Sequence, residues 1–173
     1  YVIALIYFKK KNLEMYEKYI ISSIKNNYDA YDEIIQLYYY GYETDNYTVE
    51  IDADKFLKYS FEGAKRNSAN ALYHLGYEYK YGGITEINNE KASEYLGKSA
   101  NLGLIISKVE LITLESKNYF ETLSELELLM DSVKLRELRT TLSMEFILWH
   151  ASLYAAAIHD YDKSIDYALQ IIE

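Results

Sequence analysis

Three histidines, His74, His150 and His159, are the side chains of this sequence best suited to proton transfer or metal binding near neutral pH. A helical metal site needs two ligands on one face, as at i and i+4. His150 and His159 stand nine residues apart, about two and a half helical turns, so they share no such face. His74 falls on or near the outward face of a helix. All three are expected to be ordinary surface or interhelix histidines. Carboxylates are plentiful, Glu121, Glu125, Glu127 and Asp131 among them. General acid–base work needs two of them in different environments within one pocket, whereas this spacing reads as the solvated stripe of an exposed helix. Gly82-Gly83 has neither the Lys-Ser/Thr of a phosphate loop after it nor a strand before it, and reads as a turn. No Gly-x-Ser-x-Gly elbow is present. With no cysteine there is no thiol nucleophile, zinc cluster or disulfide. The expectation is a protein that is not an enzyme, with no catalytic residues, cofactor or metal.

Charge bears on the partners. The formal net charge is −9, and a nucleic-acid binder normally carries a basic stripe to displace phosphate counterions. Lys9, Lys10 and Lys11 cluster, as do Lys134, Arg136 and Arg139, but each group reads as a solvated helix end or face. Direct nucleic-acid contact is not expected, nor is binding to anionic lipid. The apolar opening, Tyr1 to Phe8, is far shorter than the ~20 residues of a membrane span. It also lacks the flanks of a signal peptide. Asn46-Tyr47-Thr48 matches a glycosylation sequon that matters only in a secreted protein, and the lack of cysteine fits an intracellular, cytoplasmic one. Starting on Tyr1 rather than methionine, the chain reads as a piece of something longer.

The elements that would position any site are helices. Half of the residues are hydrophobic and about a quarter charged, the balance of a folded chain. There is no proline, and there are 21 tyrosines, where roughly eight or nine prolines would be usual. Two readings of that absence stand side by side: long helices unopposed by helix breakers, and an AT-rich genome poor in proline codons. Sliding the chain against itself exposes a repeat. Ala30, Ile34, Tyr38, Tyr40 and Gly41 return about forty residues later as Ala71, Leu75, Tyr79, Tyr81 and Gly82. Phe56, Lys58, Ser60 and Gly63 return as Leu96, Lys98, Ala100 and Gly103. One helix pair per period is the signature of a helical solenoid. Between Gly41 and Ile51 a long polar loop is expected, and Gly103 is placed to cap a helix. Leu13, Tyr16, Ile20 and Ile24 form the inward stripe of a helix that follows a break at Lys11-Asn12.

The stretch Ala71-x-x-x-Leu75-Gly76-x-x-Tyr79-x-x-Gly82, followed by Lys91-Ala92-x-x-Tyr95-Leu96-x-Lys98-Ser99-Ala100-x-x-Gly103, resembles a Sel-1-like repeat, a branch of the tetratricopeptide superfamily. Two departures lie in the loop: Gly82-Gly83-Ile84 where the family spaces its glycines by one residue, and Asn88 where aspartate is typical. Phe146 to Ile172 resembles a plain tetratricopeptide repeat through Ala151, Ala155 and Tyr161-Asp162-Lys163-Ser164-Ile165. Elsewhere only apolar spacing carries the pattern, as in Leu104–Ser116 followed by Asn118–Asp131. The fold expected is all-α: a right-handed α-solenoid of about ten helices in about five antiparallel pairs, one domain over residues 1–173.

In such repeats the first helix of each pair lines the concave surface. The resemblance therefore implies that Asn70, Tyr73, Tyr77 and Lys80 face a groove, with Asp29, Asp32, Gln36 and Tyr39 as equivalents one repeat earlier. Aromatic anchors among hydrogen-bonding side chains suit recognition of a peptide or protein. Solvated helix positions are the plain alternative. The function implied is a protein–protein interaction scaffold or adaptor. The other reading is a structural or regulatory subunit of a large assembly, docking through its ends or convex face. Tyr1–Phe8 and Tyr167–Ile172 are apolar enough to dock on something.

Overall fold

In the computed structural model of the protein, which describes residues 1–27, 29–135 and 141–172 (for 134, 135, 141–143 and 172 the backbone alone), side-chain caps mark where helices start. Asn12, Asp52, Ser68, Asn88, Asn118 and Asp160 each accept a hydrogen bond from the backbone N–H three residues on, at 2.9–3.4 Å. Each bond satisfies one of the donors that a helix N-terminus leaves unpaired, a contribution of about 1 kcal/mol. Among the described residues the chain forms ten helices and one hairpin, grouped into two compact units, Tyr1–Gly103 and Leu104–Glu173.

The first unit holds α1 (Val2–Lys9), α2 (Leu13–Ser23), α3 (Asp29–Tyr40), β1 (Tyr42–Thr44), β2 (Tyr47–Val49), α4 (Ala53–Lys65), α5 (Ala69–Tyr81) and α6 (Asn89–Asn101). The helices pack as α1 with α2, α3 with α4 and α5 with α6. In addition α4 touches α5 and α3 touches α5. Leu13, Tyr16 and Ile20 are buried as their spacing predicts, with Ile24 half-buried beside them. So are Ala92, Leu96, Ser99 and Ala100 on α6. Gly103, with φ +98°, closes α6 as expected.

Small residues set the helix spacing. A Cβ on Gly63 of α4 would lie 2.5 Å from the Cβ of Ala71 on α5, and one on Gly76 would lie 2.6 Å from Leu96 Cγ on α6. Neither neighbour is the loose end of a long side chain. Gly76→Leu is therefore expected to destabilise the chain by about 1–3 kcal/mol through overpacking. Thermal unfolding would read that as a drop of roughly 2–4 °C per kcal/mol; an unchanged melting temperature would contradict this packing.

Residues 42–49 are not the open polar loop that the sequence suggests. They form an antiparallel hairpin with Tyr42 opposite Val49 and Thr44 opposite Tyr47. The strand-favouring residues Tyr42, Thr44, Tyr47 and Val49 outweigh the polar Asp45-Asn46, which becomes the turn. The Thr44 hydroxyl donates to the Tyr47 carbonyl at 3.0 Å. Gly41 makes the entry with φ +67°, where any side chain would be strained and would meet the Val49 carbonyl at 2.9 Å.

The second unit holds α7 (Ile105–Glu115), α8 (Tyr119–Leu135), α9 (Thr141–Ala157) and α10 (Tyr161–Ile172). Its core is Val109, Leu126, Ile147, Ala151 and Ala155, all fully buried. Sequence spacing pairs α7 with α8, but α8 has its broader contact with α9, and α7 touches both. The helix α9 is the centre of the unit because it packs against α7, α8 and α10, burying Ile147, Leu148, His150, Ala151 and Ala155. No helix among the described residues is long and apolar enough to cross a membrane.

Candidate binding surface

The helices α3 and α5 carry all eight residues that the repeat resemblance assigns to a groove, and they lie against each other in the first unit. Asp32 of α3 meets His74 of α5, with Oδ1 and Nε2 2.9 Å apart. Burial acts to raise the Asp32 pKa, but the bond from His74, its charge and the Gln36 amide outweigh it, and the carboxyl titrates below its usual range. The pair thus adds stability above the ordinary carboxylate range, lost as pH falls through that lowered value. His74 is consequently not the outward-facing residue that its helical position suggests. Its ring stands edge-on to Phe56, at 6.4 Å between centroids, and 5.4 Å from Tyr73.

Tyr39 also turns inward. Its ring packs 5.1 Å from Phe56 and 4.8 Å from Tyr40. Burial, then the adjoining Glu78 carboxylate, pushes its hydroxyl up to about 12. Glu78 itself is only 1% exposed and accepts the Ile84 backbone N–H at 2.9 Å, so it holds the Gly82–Ile84 turn against α5. Along α5, Tyr73, Tyr77 and Tyr81 form a ladder of rings 5.9 and 4.6 Å apart, and the Lys80 ammonium stands 4.9 Å over Tyr81. Asp29 is exposed in the first turn of α3, Gln36 is exposed one turn beyond Asp32, and Asn70 is half-buried in the first turn of α5. Of the assigned set, Asp32, Gln36, Tyr73 and Tyr77 gather along the α3–α5 seam, while Tyr39 belongs to the packing beneath it.

Several functional-looking groups have structural partners that spacing does not reveal. Tyrosine hydroxyls in the first unit reach carboxylates. Glu33 accepts from Tyr16 at 2.7 Å and Tyr1 at 3.3 Å, and Glu17 accepts from Tyr38 at 2.5 Å and Tyr47 at 2.9 Å. In the second unit Glu127 accepts from Tyr167 at 2.5 Å and Lys163 at 2.8 Å, so this carboxylate is tied down and is not part of a freely solvated stripe. Glu125 and Asp131 are exposed as expected. His150 is buried with Nδ1 2.9 Å from the Phe146 carbonyl, and exposed His159 meets the Tyr161 hydroxyl at 2.8 Å. Lys9, Lys10 and Lys11 are exposed at the end of α1. Arg136 and Arg139, and the side chains of Lys134 and Ile172, lie outside the described residues. Among the described residues no group of three or more His, Asp or Glu side chains converges to hold a metal ion.

The α3–α5 seam therefore offers side-by-side helices with an Asp32–His74 hydrogen bond between them, an exposed amide and a row of part-exposed rings. No protein-family model matches the chain, and neither does any curated protein.

Proposed function

We propose that the protein is an interaction scaffold of the Sel-1-like, tetratricopeptide kind, that it is not an enzyme, and that it receives a protein or peptide segment along α3 and α5. The observation that carries this reading is the juxtaposition of α3 and α5, the first helices of successive pairs, with Asp32 and His74 joined across the seam. Helix pairs whose first helices line up in this way form the inner wall of a right-handed helical solenoid, the form we assign to the first unit. The tyrosine ladder supplies rigid amphipathic area at low entropic cost, and Gln36 and Lys80 supply polar contacts.

Affinity capture from the native source should compare the intact chain with a Tyr73→Ala/Tyr77→Ala double variant. The expected result is a direct partner whose capture falls about tenfold or more with the double variant. Helicity stays the same, and Lys65→Ala, on the exposed side of α4, leaves capture unchanged. A partner captured equally by all three proteins would move the binding site away from the seam.

A second reading has its own support. Val2, Ile3 and Ile6 on α1 are exposed in the first unit, and Trp149, Leu153, Ile165 and Leu169 on α9 and α10 are exposed in the second. Apolar surface of this kind marks sites of association. It supports a subunit of a larger assembly, docking through those faces rather than through the seam.

A further inference from the structure

From a recess on the first unit that borders the α3–α5 seam and shares only Gln36 with the residues assigned to it, we infer that the protein binds the cationic side chain of a lysine or arginine on a partner polypeptide. The recess measures about 170 Å³ and is lined by Phe8, Tyr16, Glu33, Gln36, Tyr40 and Tyr42, with Leu37 and Gly41 completing it. One helix face builds most of it. Glu33, Gln36 and Tyr40 follow one another at spacings of three and four along α3, and Leu37 stands four residues after Glu33 and three before Tyr40, which places all four on one helix face. The ring of Phe8 from α1 closes one side, 5.0 Å from Tyr16 of α2 and 5.4 Å from Tyr42 of the hairpin.

Four aromatic rings around a carboxylate select for positive charge. The face of an aromatic ring attracts an ammonium or guanidinium within about 6 Å of its centroid, and a carboxylate adds a charge-assisted bond. Glu33 accepts hydroxyl bonds from Tyr16 and Tyr1; a carboxylate has about four acceptor positions, so capacity remains. A wholly apolar guest would leave Glu33 and Gln36 desolvated without compensation. An anion would meet the Glu33 charge. A metal ion would find one carboxylate and one amide among rings, too few oxygen ligands for a hard cation. The volume is below the roughly 300 Å³ at which cofactor-sized sites begin, yet holds several water molecules' worth of guest.

A second observation points the same way. Elsewhere in this unit, tyrosine rings carry one of the chain's own lysines: Lys55 over Tyr38, Lys58 over Tyr59, Lys80 over Tyr81, Lys91 over Tyr79 and Lys98 over Tyr95. Among the described residues no lysine or arginine is seated on Phe8, Tyr16, Tyr40 or Tyr42, although Tyr40 is 69% exposed. The rings and the carboxylate are assembled, and the cation comes from outside.

That the cation arrives on a polypeptide rests on the scaffold reading; the recess itself does not. Tyrosine-ring signals of the intact chain, followed by nuclear magnetic resonance, should be titrated with n-butylammonium, n-butylguanidinium, tetramethylammonium and, as a neutral control, n-pentanol. The cations are expected to shift Tyr40 and Tyr42 saturably at millimolar concentration, and n-pentanol is not. Tyr40→Leu and Glu33→Gln should each weaken cation binding roughly threefold to tenfold. Tyr40 is exposed, so Tyr40→Leu keeps the test decisive should Glu33→Gln unfold. Equal shifts from n-pentanol, or cation binding unaltered by Tyr40→Leu, would overturn the inference. Gly-Lys-Gly and Gly-Arg-Gly peptides decide the source. Tighter binding than the matching free cation supports a polypeptide partner, and tetramethylammonium outcompeting both peptides overturns that part in favour of a small quaternary ammonium. A seam that fails with its partner while the recess still takes cations separates the two proposals.

Discussion

Raising the pH from about 9 to about 12 is expected to unfold the first unit through its tyrosines. Tyr16 and Tyr38 are 3% and 1% exposed, and burial, then the bond each donates to Glu33 or Glu17, raises both hydroxyls above the ordinary tyrosine range. In the unfolded chain they lose their protons near pH ~10. Between that point and their raised values the folded state holds more protons than the unfolded state, so stability falls as pH rises. Each such tyrosine removes about 1.4 kcal/mol per pH unit. Two of them across a window of about two units remove roughly 5–6 kcal/mol, comparable to the whole stability of many domains. Circular dichroism and tyrosinate absorbance should be followed together. The expected result is a cooperative loss of helicity coinciding with a late step in tyrosinate. Smooth titration of every tyrosine near pH ~10 with helicity retained would contradict the buried tyrosine–carboxylate pairs.

Phe56→Ala is expected to cost about 3–5 kcal/mol, the range for emptying a buried aromatic site. Phe56 is fully buried in α4, and its ring supports Tyr39 of α3 and His74 of α5 from beneath the seam. Removing it both opens a cavity and releases the two side chains that fix the register of α3 against α5. At roughly 2–4 °C per kcal/mol for a chain of this size, thermal unfolding should fall by roughly 6–20 °C. Partner binding should weaken as well, although Phe56 touches no partner. A loss below about 1 kcal/mol would mean that the site beneath the seam is not packed as described.

The helices were legible because their signals are local. Leu13, Tyr16 and Ile20 repeat at the helical period, and Gly82-Gly83 and Gly103 mark where helices stop. Asp32, Gln36, Tyr73 and Tyr77 were named together through the repeat resemblance, which treats α3 and α5 as equivalent helices, and those two helices do lie against each other. What stayed hidden depends on distance along the chain. Nothing near His74 announces a bond to Asp32, 42 residues away, and nothing near Tyr16 announces Glu33, 17 residues away. A buried glutamate such as Glu78 looks, in sequence, like any glutamate of a solvated helix, since its burial is decided by the turn that folds over it. Tyr39 was misplaced for the same reason: the helical period puts it near the seam, and only the depth of Phe56 and Glu78 draws it under. The hairpin was missed because three-residue strands are too short for alternation to register against their polar turn.

The most direct test of the seam as the binding surface is site-specific photo-crosslinking of the bound partner. A photoreactive residue at position 36 or 77 is expected to cross-link the partner, whereas one at exposed position 65 on α4 or 94 on α6 is not. Cross-links confined to positions 65 and 94, or to exposed Trp149 and Leu169, would place recognition elsewhere and contradict the account.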